Sequence, residues 1–452
     1  MGRNNRSNDL HKGLKNRHVQ MIALGGAIGT GLFYGSASAI GLAGPAIALA
    51  YLIGGLMIYF IMRALGELSV DTPNSGSISY YAYENLGDFF GFFSGWNYWF
   101  NYVAVTMAEL TVVGIYVQYW FPDIPTWVTA FAFLILITCV NLLSVKLFGE
   151  FEFYFALIKV VAIIGMIILG LIIIFTGIGN NGVPIGFSNL FDEGGFLPNG
   201  ITGVLLSLVL VMFSFGGVEL VGITGGEVDT PKKTIPKAIN QVVYRILIFY
   251  VGALLVIMSI FPWNQIDGES SPFVQILDGI GIPAAAGILN LVVLTAAISA
   301  HNSSLYSNGR MLHSLAKQGN APQFLQRVGN RTGAPVPAIL LSSGVAGIAV
   351  IINFLFPEKV FSYVMAIATV AGIINWIMIV TIHLAFRKRI GKKAASKLSF
   401  KLPLYPISNY VVLLFLIAVI VIMGFIPDYR LALYILPIWV LILVIGYNLK
   451  KK

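Results

Sequence analysis

The sequence predicts an all-α polytopic membrane protein with twelve transmembrane helices. Of its 452 residues, 57% are hydrophobic and only 10% are charged, whereas soluble domains carry roughly 25% charged residues. Mean hydropathy is +0.84, and the apolar residues fall into long runs. About 20 such residues are enough to cross a bilayer as a helix. This composition excludes a soluble enzyme and a nucleic-acid-binding protein, despite the formal net charge of +9.

Twelve runs have the length of a membrane-spanning helix, and we number them segments 1 to 12. They are residues 19–42, 45–70, 92–120, 126–145, 151–177, 200–226, 239–261, 283–316, 336–355, 360–386, 407–427 and 430–449. Segment 8 exceeds the required length, which predicts that it continues as a cytoplasmic helix. The single cysteine, Cys139, lies in segment 4, so thiol chemistry is not expected.

The basic residues indicate the orientation of these segments. Nearly all of the 28 lysines and arginines fall in the N-terminal tail, the C-terminal tail and alternate connections, among them Arg245 and Arg310. Lys359 and Arg430 fall on the other side, and Lys159 lies within segment 5. The positive-inside rule therefore predicts a multi-pass protein of the cell membrane with both termini cytoplasmic. Topology accounts for the net charge more simply than a specific lipid or partner site.

Glycines interrupt segments 1 and 6. The stretch GGAIGTGLF (25–33) has four glycines, and FSFGGVELVGITGGE (213–227) has five. Gly29 and Gly216 are 187 positions apart, close to the length of five segments. Paired interruptions at matching positions indicate an inverted repeat with a midplane binding site. The alternative for one cluster alone is close helix packing, since Gly25 and Gly29 have the GxxxG spacing.

An interrupted membrane helix has a physical use. Its unpaired N–H and C=O groups are costly in lipid, so such a break persists only beside protein or a wet cavity. The N-terminal end of a half-helix offers N–H groups to a carboxylate, and unwound carbonyls accept from an ammonium. A zwitterion, which has a carboxylate and an ammonium, can bind both kinds of backbone group.

The sequence resembles the bacterial amino acid permeases of the amino acid–polyamine–organocation superfamily. The resemblance is carried by RHVQMIALGGAIGTGLFYGSASAIGLAGP (17–45), FEFYFALIKVVAIIGMI (151–167), FSFGGVELVGITGGEVDTPKKTIPKAI (213–239) and SAHNSSLYSNGRMLHSLAKQGNAP (299–322). It is closest to the group that includes aromatic amino acid, proline, lysine, γ-aminobutyrate and D-alanine/D-serine/glycine permeases. The resemblance implies a proton-coupled amino acid importer with a five-plus-five inverted repeat, unwound helices 1 and 6, and two further helices.

The resemblance also implies a substrate site. The substrate carboxylate would bind the amides of Gly29, Thr30 and Gly31, with the Thr30 hydroxyl as a further donor. The amino group would be held by carbonyls near Ala27 and Ile28 and from segment 6 near Phe213 and Gly216. Phe213 matches an aromatic residue that closes over the substrate. For Phe213 and its neighbour Phe215 the alternative is ordinary packing.

Ionisable residues within segments are functional candidates, because burying a charge is expensive. Lys159 lies at a depth similar to that of the segment 1 break, and relatives use such a lysine where sodium-coupled members hold an ion. It would bridge segments 1, 5 and 8 until it loses its proton. The alternative is a lysine that extends to the cytoplasmic surface. Glu109 and Glu219 are further candidates for proton coupling, and a structural role is favoured for Glu219.

Other polar residues are weaker candidates. Ser299, Asn302 and Ser303 lie in the middle of segment 8, where they either line the site near Lys159 or bond their own backbone. Arg63 and Glu67 are four positions apart, which predicts a local ion pair. In the loop after segment 6, Glu227 either latches the inner gate or is solvated.

We therefore predict a secondary transporter, not an enzyme, that imports an amino acid by proton symport with alternating access. The substrate is predicted to be a neutral α-amino acid. The alternatives are an exchanger of the same fold, a transport-like sensor and a channel. The expected partners are the amino acid, a proton and membrane lipid. No cofactor, metal, nucleic acid or obligate protein partner is predicted, since no metal or phosphate-binding motif is evident.

The predicted domain organisation follows the repeat. Residues 1–18 form the cytoplasmic N-terminal tail, 19–177 the first repeat, 200–386 the second, 407–449 the two additional helices, and 450–452 the C-terminal tail.

Overall fold

The structure is a computed structural model that describes residues 21, 28–73, 77–143, 145–178, 182–223, 230–266, 268, 271–279, 283–329, 332–357 and 359–450. Some predictions concern residues outside this set. They are the N-terminal tail 1–18, Ala27, Glu227 and residues 451–452.

Every regular element in these described ranges is a helix, as the sequence predicts. Nine helical runs among them are long and apolar enough to cross a membrane. They are Gly35–Asp71, Asp88–Gln118, Thr126–Leu143, Phe148–Thr176, Pro231–Ile260, Ala284–Lys317, Val336–Leu355, Val360–Ala395 and Pro427–Lys450. Two shorter apolar helices, Gly200–Ser214 and Ile407–Met423, lie in segments 6 and 11. The chain is therefore an integral membrane protein, and its twelve crossings stay a prediction.

The first of these runs combines two predicted segments. Segment 1 contains the helices Thr30–Phe33 and Gly35–Ala43, and segment 2 is the helix Ile47–Asp71. A short 3₁₀ turn, Gly44–Ala46, connects them. Gly44 has a φ of 59°, which is a left-handed conformation suited to glycine at a helix end.

Several helices extend beyond their predicted bounds. Segment 5 begins six residues earlier, in the helix Val145–Thr176. Segment 7 begins at Pro231 and consists of Pro231–Arg245, a π-helical turn and Ala253–Ile260. Segment 10 continues to Ala395, although Gly391 interrupts it with a φ of 74°. The sequence did not predict the helices Ser77–Leu86 and Pro272–Gly279.

Segments 3, 8 and 10 form the centre of the bundle. Segment 3 packs against both of the others, and segment 6 packs against segments 1 and 2. In segment 10, 78% of the most apolar stretch of 18 residues is buried, compared with 17% in segment 12. Segment 12 is therefore peripheral, with an apolar surface suited to lipid contact.

Two arginines expected in solvated connections are buried instead. Arg245 ends the helix Pro231–Arg245 and is 1% exposed, and its guanidinium lies 5.9 Å from the ring centroid of Tyr250. Arg310 lies inside the helix Pro283–Lys317, with its guanidinium 3.3 Å from the ring centroid of Tyr306. Aromatic faces attract such cations, which contributes to both burials.

The predicted local pair of Arg63 and Glu67 is wrong. The buried Glu67 forms a salt bridge with Arg387 of segment 10, whose Nη2 is 2.8 Å away, and accepts from the amide of Leu402 at 2.7 Å. Arg63 donates to the Lys401 carbonyl and covers the Phe400 ring at 3.8 Å. Helical spacing could not reveal this partner, since it comes from a distant part of the chain.

Candidate functional site

The described part of the segment 1 break begins at Ile28. Ile28 and Gly29 are not helical, and Gly29 is extended, with φ −124° and ψ −157°. A helical turn starts at Thr30, and Gly29 accepts hydrogen bonds from the amides of Leu32 and Phe33. The backbone therefore turns from extended to helical at Gly29 and Thr30.

Segment 6 has a matching interruption. The helix Gly200–Ser214 ends there, residues 215–219 form turns, and helix resumes at Leu220–Ile223. Gly217 has a φ of 89°, which only glycine adopts readily. The two breaks approach each other closely, because a Cβ on Gly31 would lie 2.6 Å from the Cα of Ser214.

A small cavity lies where the breaks meet. Its volume is about 40 Å³. The lining residues come from segments 1, 3, 6 and 8 and are Gly29, Gly31, Tyr102, Val105, Glu109, Phe213, Ser214, Gly216, Gly217, Leu220, Ala300, Ser303 and Ser304. This volume admits a few water molecules but falls well below the roughly 300–1,000 Å³ of ligand pockets. The walls must therefore separate before a small molecule can enter.

Glu109 supplies the acidic group of this lining. It is 3% exposed, its Oε1 accepts from the Thr30 hydroxyl at 3.0 Å, and its carboxyl group also accepts from the Thr30 backbone. Its Oε2 has no hydrogen-bond partner among the described residues. The carboxylate therefore caps the first helical turn after the break, where the dipole favours negative charge.

Lys159 joins segments 1, 5 and 8. Its ammonium donates to the carbonyl of Ile28 at 3.1 Å and to Oγ of Ser299 at 2.9 Å. The side chain is 0% exposed, so it does not extend to the cytoplasmic surface. The helix bundle thus encloses a cation directly beside the break.

Glu152 is a member of this cluster that the sequence analysis missed. It is 0% exposed, and its Oε1 accepts from Oγ of Ser299 at 2.7 Å. Ser299 therefore connects the carboxylate of Glu152 to the ammonium of Lys159. The available signal was the spacing of seven residues, which places both side chains on one helix face.

Charges of both signs surround the Lys159 ammonium. Glu109 and Glu152 lie close enough to attract the Lys159 ammonium, whereas Arg245 repels it. A buried charge is tolerated only when it is paired or hydrogen-bonded. A change in the protonation of one group therefore alters the stability of the contacts made by the others.

Glu219 lies just after the segment 6 break and is 2% exposed. Its Oε1 accepts from the Tyr102 hydroxyl at 2.9 Å, and its Oε2 lies 3.4 Å from Nε1 of Trp376. These bonds join the segment 6 turn to segments 3 and 10.

The remaining candidates divide between the cavity and its surroundings. Phe213 lines the cavity and packs edge-on against Phe361 at 6.4 Å, whereas the buried Phe215 packs against Tyr51 and Tyr250. Gly216 and Ser303 also line the cavity. Asn302 instead accepts from Nδ2 of Asn141 in segment 4 at 2.8 Å.

Comparison with known proteins shows which family the chain resembles. A family model described as amino acid permease matches residues 18–452. The aromatic amino acid transport protein AroP of Escherichia coli strain K12 is 52% identical over 443 residues, covering 98% of this chain and 96% of AroP. AroP of Salmonella typhimurium strain LT2 is 50% identical over 443 residues, with the same coverage. The uncharacterized amino acid permease YtnA of Bacillus subtilis strain 168 is 51% identical over 439 residues, covering 97% of this chain and 95% of YtnA.

These matches run through both breaks, Lys159 and the polar face of segment 8. The relatives are transport proteins, which agrees with the predicted absence of an enzymatic activity. The chain belongs to the amino acid permease family and takes part in amino acid transport across a membrane.

Proposed function

We propose that this protein imports a neutral amino acid with an aromatic side chain in symport with a proton. The observation that carries the proposal is the contact of the Lys159 ammonium with the Ile28 carbonyl, directly beside the extended Gly29. A titratable cation that holds the break couples the shape of the site to protonation. The aromatic preference comes from the relatives named AroP and agrees with a lining that includes Tyr102 and Phe213.

The backbone at the break is suited to the two groups that all amino acids share. We assign the substrate carboxylate to the amides of Gly29, Thr30 and Gly31, and its amino group to carbonyls of Ala27, Ile28, Phe213 and Gly216. Glu109 already caps Thr30, so its carboxylate has to withdraw or accept a proton when the substrate carboxylate arrives. This exchange links substrate binding to a proton.

Lys159 then links the same site to alternating access. With its proton it holds segment 1 to segments 5 and 8 through Ile28 and Ser299. Loss of that proton removes the charge-assisted bonds, which are stronger than neutral ones. We infer that this loss releases the half-helix and opens the closed cavity. Glu219 holds the segment 6 turn to segments 3 and 10, so it would move with that turn, and Phe213 closes over the substrate.

The proposed arrangement in the membrane follows the predicted repeat. Residues 19–177 and 200–386 form two inverted halves, 407–449 add the last two helices, and both termini face the cytoplasm. The basic groups at the cytoplasmic ends of alternate segments support this orientation in the cell membrane.

Uptake into proteoliposomes with an imposed pH gradient tests the proposal. Accumulation of phenylalanine, tyrosine or tryptophan above equilibrium, driven by external acid and abolished by a protonophore, is the expected result. Uptake that requires the same amino acid on the inside would establish an exchanger. Binding without either activity would establish a sensor. A binding competition across the common amino acids tests the substrate class separately.

A further inference from the structure

A second cavity lies far from the breaks, at the cytoplasmic end of segment 10. We call it the basic groove, and its volume is about 880 Å³. It lies between the last turns of Val360–Ala395 and the start of Ile407–Met423. Its lining residues are Leu86, Thr381, Leu384, Ala385, Arg387, Lys388, Gly391, Lys392, Ala395, Ser396, Lys401, Tyr405, Pro406 and Tyr410.

The basic groove has an apolar end and a cationic end. Leu384 and Ala385 belong to the membrane-spanning part of segment 10, whereas Lys388 follows one turn nearer the cytoplasm and Lys392 comes directly after the interruption at Gly391. One helical turn rises about 5.4 Å. The groove therefore matches a molecule with a hydrocarbon part next to a negatively charged group.

The charge of the groove is not neutralised from within. None of the described residues that line it is acidic. Glu67 neutralises Arg387 from outside, and Glu84 lies 3.5 Å from Arg389, which is not a lining residue. The ammonium of Lys401 donates to the Ser396 carbonyl, which carries no formal charge. Lys388, Lys392 and Lys401 thus remain to attract an anion.

The segment 11 side of the groove presents exposed aromatic and apolar side chains. The Arg387 guanidinium lies 4.8 Å from the ring centroid of Tyr405, which fixes one tyrosine, while Tyr410 is 60% exposed. Ile407 and Leu414 lie on the same helix side as Tyr410, and they are 66% and 71% exposed. Tyrosines are typical of the membrane–water interface, and exposed leucine and isoleucine side chains of an apolar helix contact acyl chains. The groove is therefore continuous with a lipid-facing surface.

We propose that the basic groove binds the headgroup of an anionic phospholipid from the cytoplasmic leaflet. The lysines hold the phosphate, and an acyl chain follows the exposed side of segment 11. The positive-inside rule accounts for the number of cations here but not for their convergence on one groove that an apolar surface enters. The proposal does not depend on the substrate or on proton coupling.

Lipid binding to the purified full-length protein in detergent tests this proposal by native mass spectrometry. Phosphatidylglycerol should bind at least about tenfold more tightly than phosphatidylcholine. The double substitution Lys388→Gln and Lys392→Gln should weaken phosphatidylglycerol binding about tenfold to thirtyfold, since each surface lysine favours anionic lipid substantially. The matched control is Lys393→Gln with Lys397→Gln, which removes two exposed cations that do not line the groove.

The control should change phosphatidylglycerol binding less than about threefold. An equal loss in both double variants would show a non-specific attraction and overturn the site. Equal binding of phosphatidylcholine would also overturn it. If glycerol phosphate competes as well as the lipid does, the groove holds a soluble anion instead. All four lysines are exposed, so thermal unfolding should be unchanged in both variants.

Discussion

The carboxylate of Glu109 accepts the hydroxyl hydrogen of Thr30 at 3.0 Å, at the first helical turn after the break in segment 1. This bond joins segments 1 and 3 through two residues that are 79 positions apart in the chain. The carboxylate occupies the end of the helix where we place the carboxylate of the substrate. In the proposed site, the carboxyl group of Glu109 therefore competes with the substrate for the same donors.

This competition predicts the behaviour of Glu109→Gln. The neutral amide keeps the shape but removes the repulsion of the substrate carboxylate. We expect amino acid binding at neutral pH to be at least as tight as in the wild type and its dependence on pH to flatten. Calorimetry between pH 5 and pH 8 measures both quantities. Complete loss of binding would show that the charge of Glu109 attracts the substrate.

Thr30→Val should weaken amino acid binding about fivefold to tenfold, because one hydrogen bond is lost.

The glycines of segment 1 are predicted to be sensitive in a graded way. A methyl group at Gly31 meets the backbone of segment 6 at 2.6 Å, whereas one at Gly29 meets Oε1 of Glu109 at 3.0 Å. Gly31→Ala should therefore lower stability by about 1–3 kcal/mol, as expected of overpacking. Gly29→Leu should abolish the binding of every amino acid while membrane insertion is retained.

Gly41→Ala is the matched control, because it lies in the same segment and the added methyl group would meet no described atom within 4 Å beyond its chain neighbours and its own helix backbone. Thermal unfolding measures the stability of the three variants, and ligand-binding assays measure their affinity for amino acids. Normal binding of any amino acid by Gly29→Leu would contradict the carboxylate assignment.

Glu152→Gln is predicted to weaken the coupling of uptake to the proton gradient. The substitution keeps an acceptor for Ser299 but removes a negative charge that favours the Lys159 ammonium. We expect the accumulation ratio to fall at least about threefold while exchange of labelled for unlabelled substrate continues. The control is Glu150→Gln, two residues away and on a different helix face. Equal losses of exchange and accumulation would indicate a purely structural role for Glu152.

The buried cluster around Glu67 is predicted to stabilise the fold. Glu67→Ala leaves Arg387 without its buried partner, which costs about 3–5 kcal/mol of unfolding free energy. The exposed pair of Glu84 and Arg389 provides the comparison, and Glu84→Ala should change stability by at most about 1 kcal/mol. Thermal unfolding of both variants in one detergent measures the difference. Similar shifts in Tm would contradict the claim that the buried pair stabilises the fold more than the exposed pair does.

Much of this architecture could be predicted from local sequence patterns. Apolar runs gave the positions of the helices, and glycine clusters gave the interruptions at Gly29 and Gly217. Lys159 could be found because a lysine in an apolar segment demands a partner. These features depend on a few neighbouring residues, so one sequence contains enough information.

The rest depends on residues that are distant in the chain. Local spacing favoured Arg63 as the partner of Glu67, but the actual partner, Arg387, lies 320 positions away. Glu152 was overlooked because its segment was predicted to begin at 151, where a carboxylate would be solvated. In the structure that helix begins at Val145, so Glu152 lies within it. The direction of Phe215, away from the cavity, likewise depends on where the preceding helix ends.

The central claim is that the ammonium of Lys159 couples the segment 1 break to the proton gradient. Uptake by Lys159→Ala in proteoliposomes tests it most directly, with counterflow measured in the same preparation. We predict that accumulation driven by external acid is lost while counterflow of the same amino acid remains measurable. Uphill uptake equal to that of the wild type would contradict the claim.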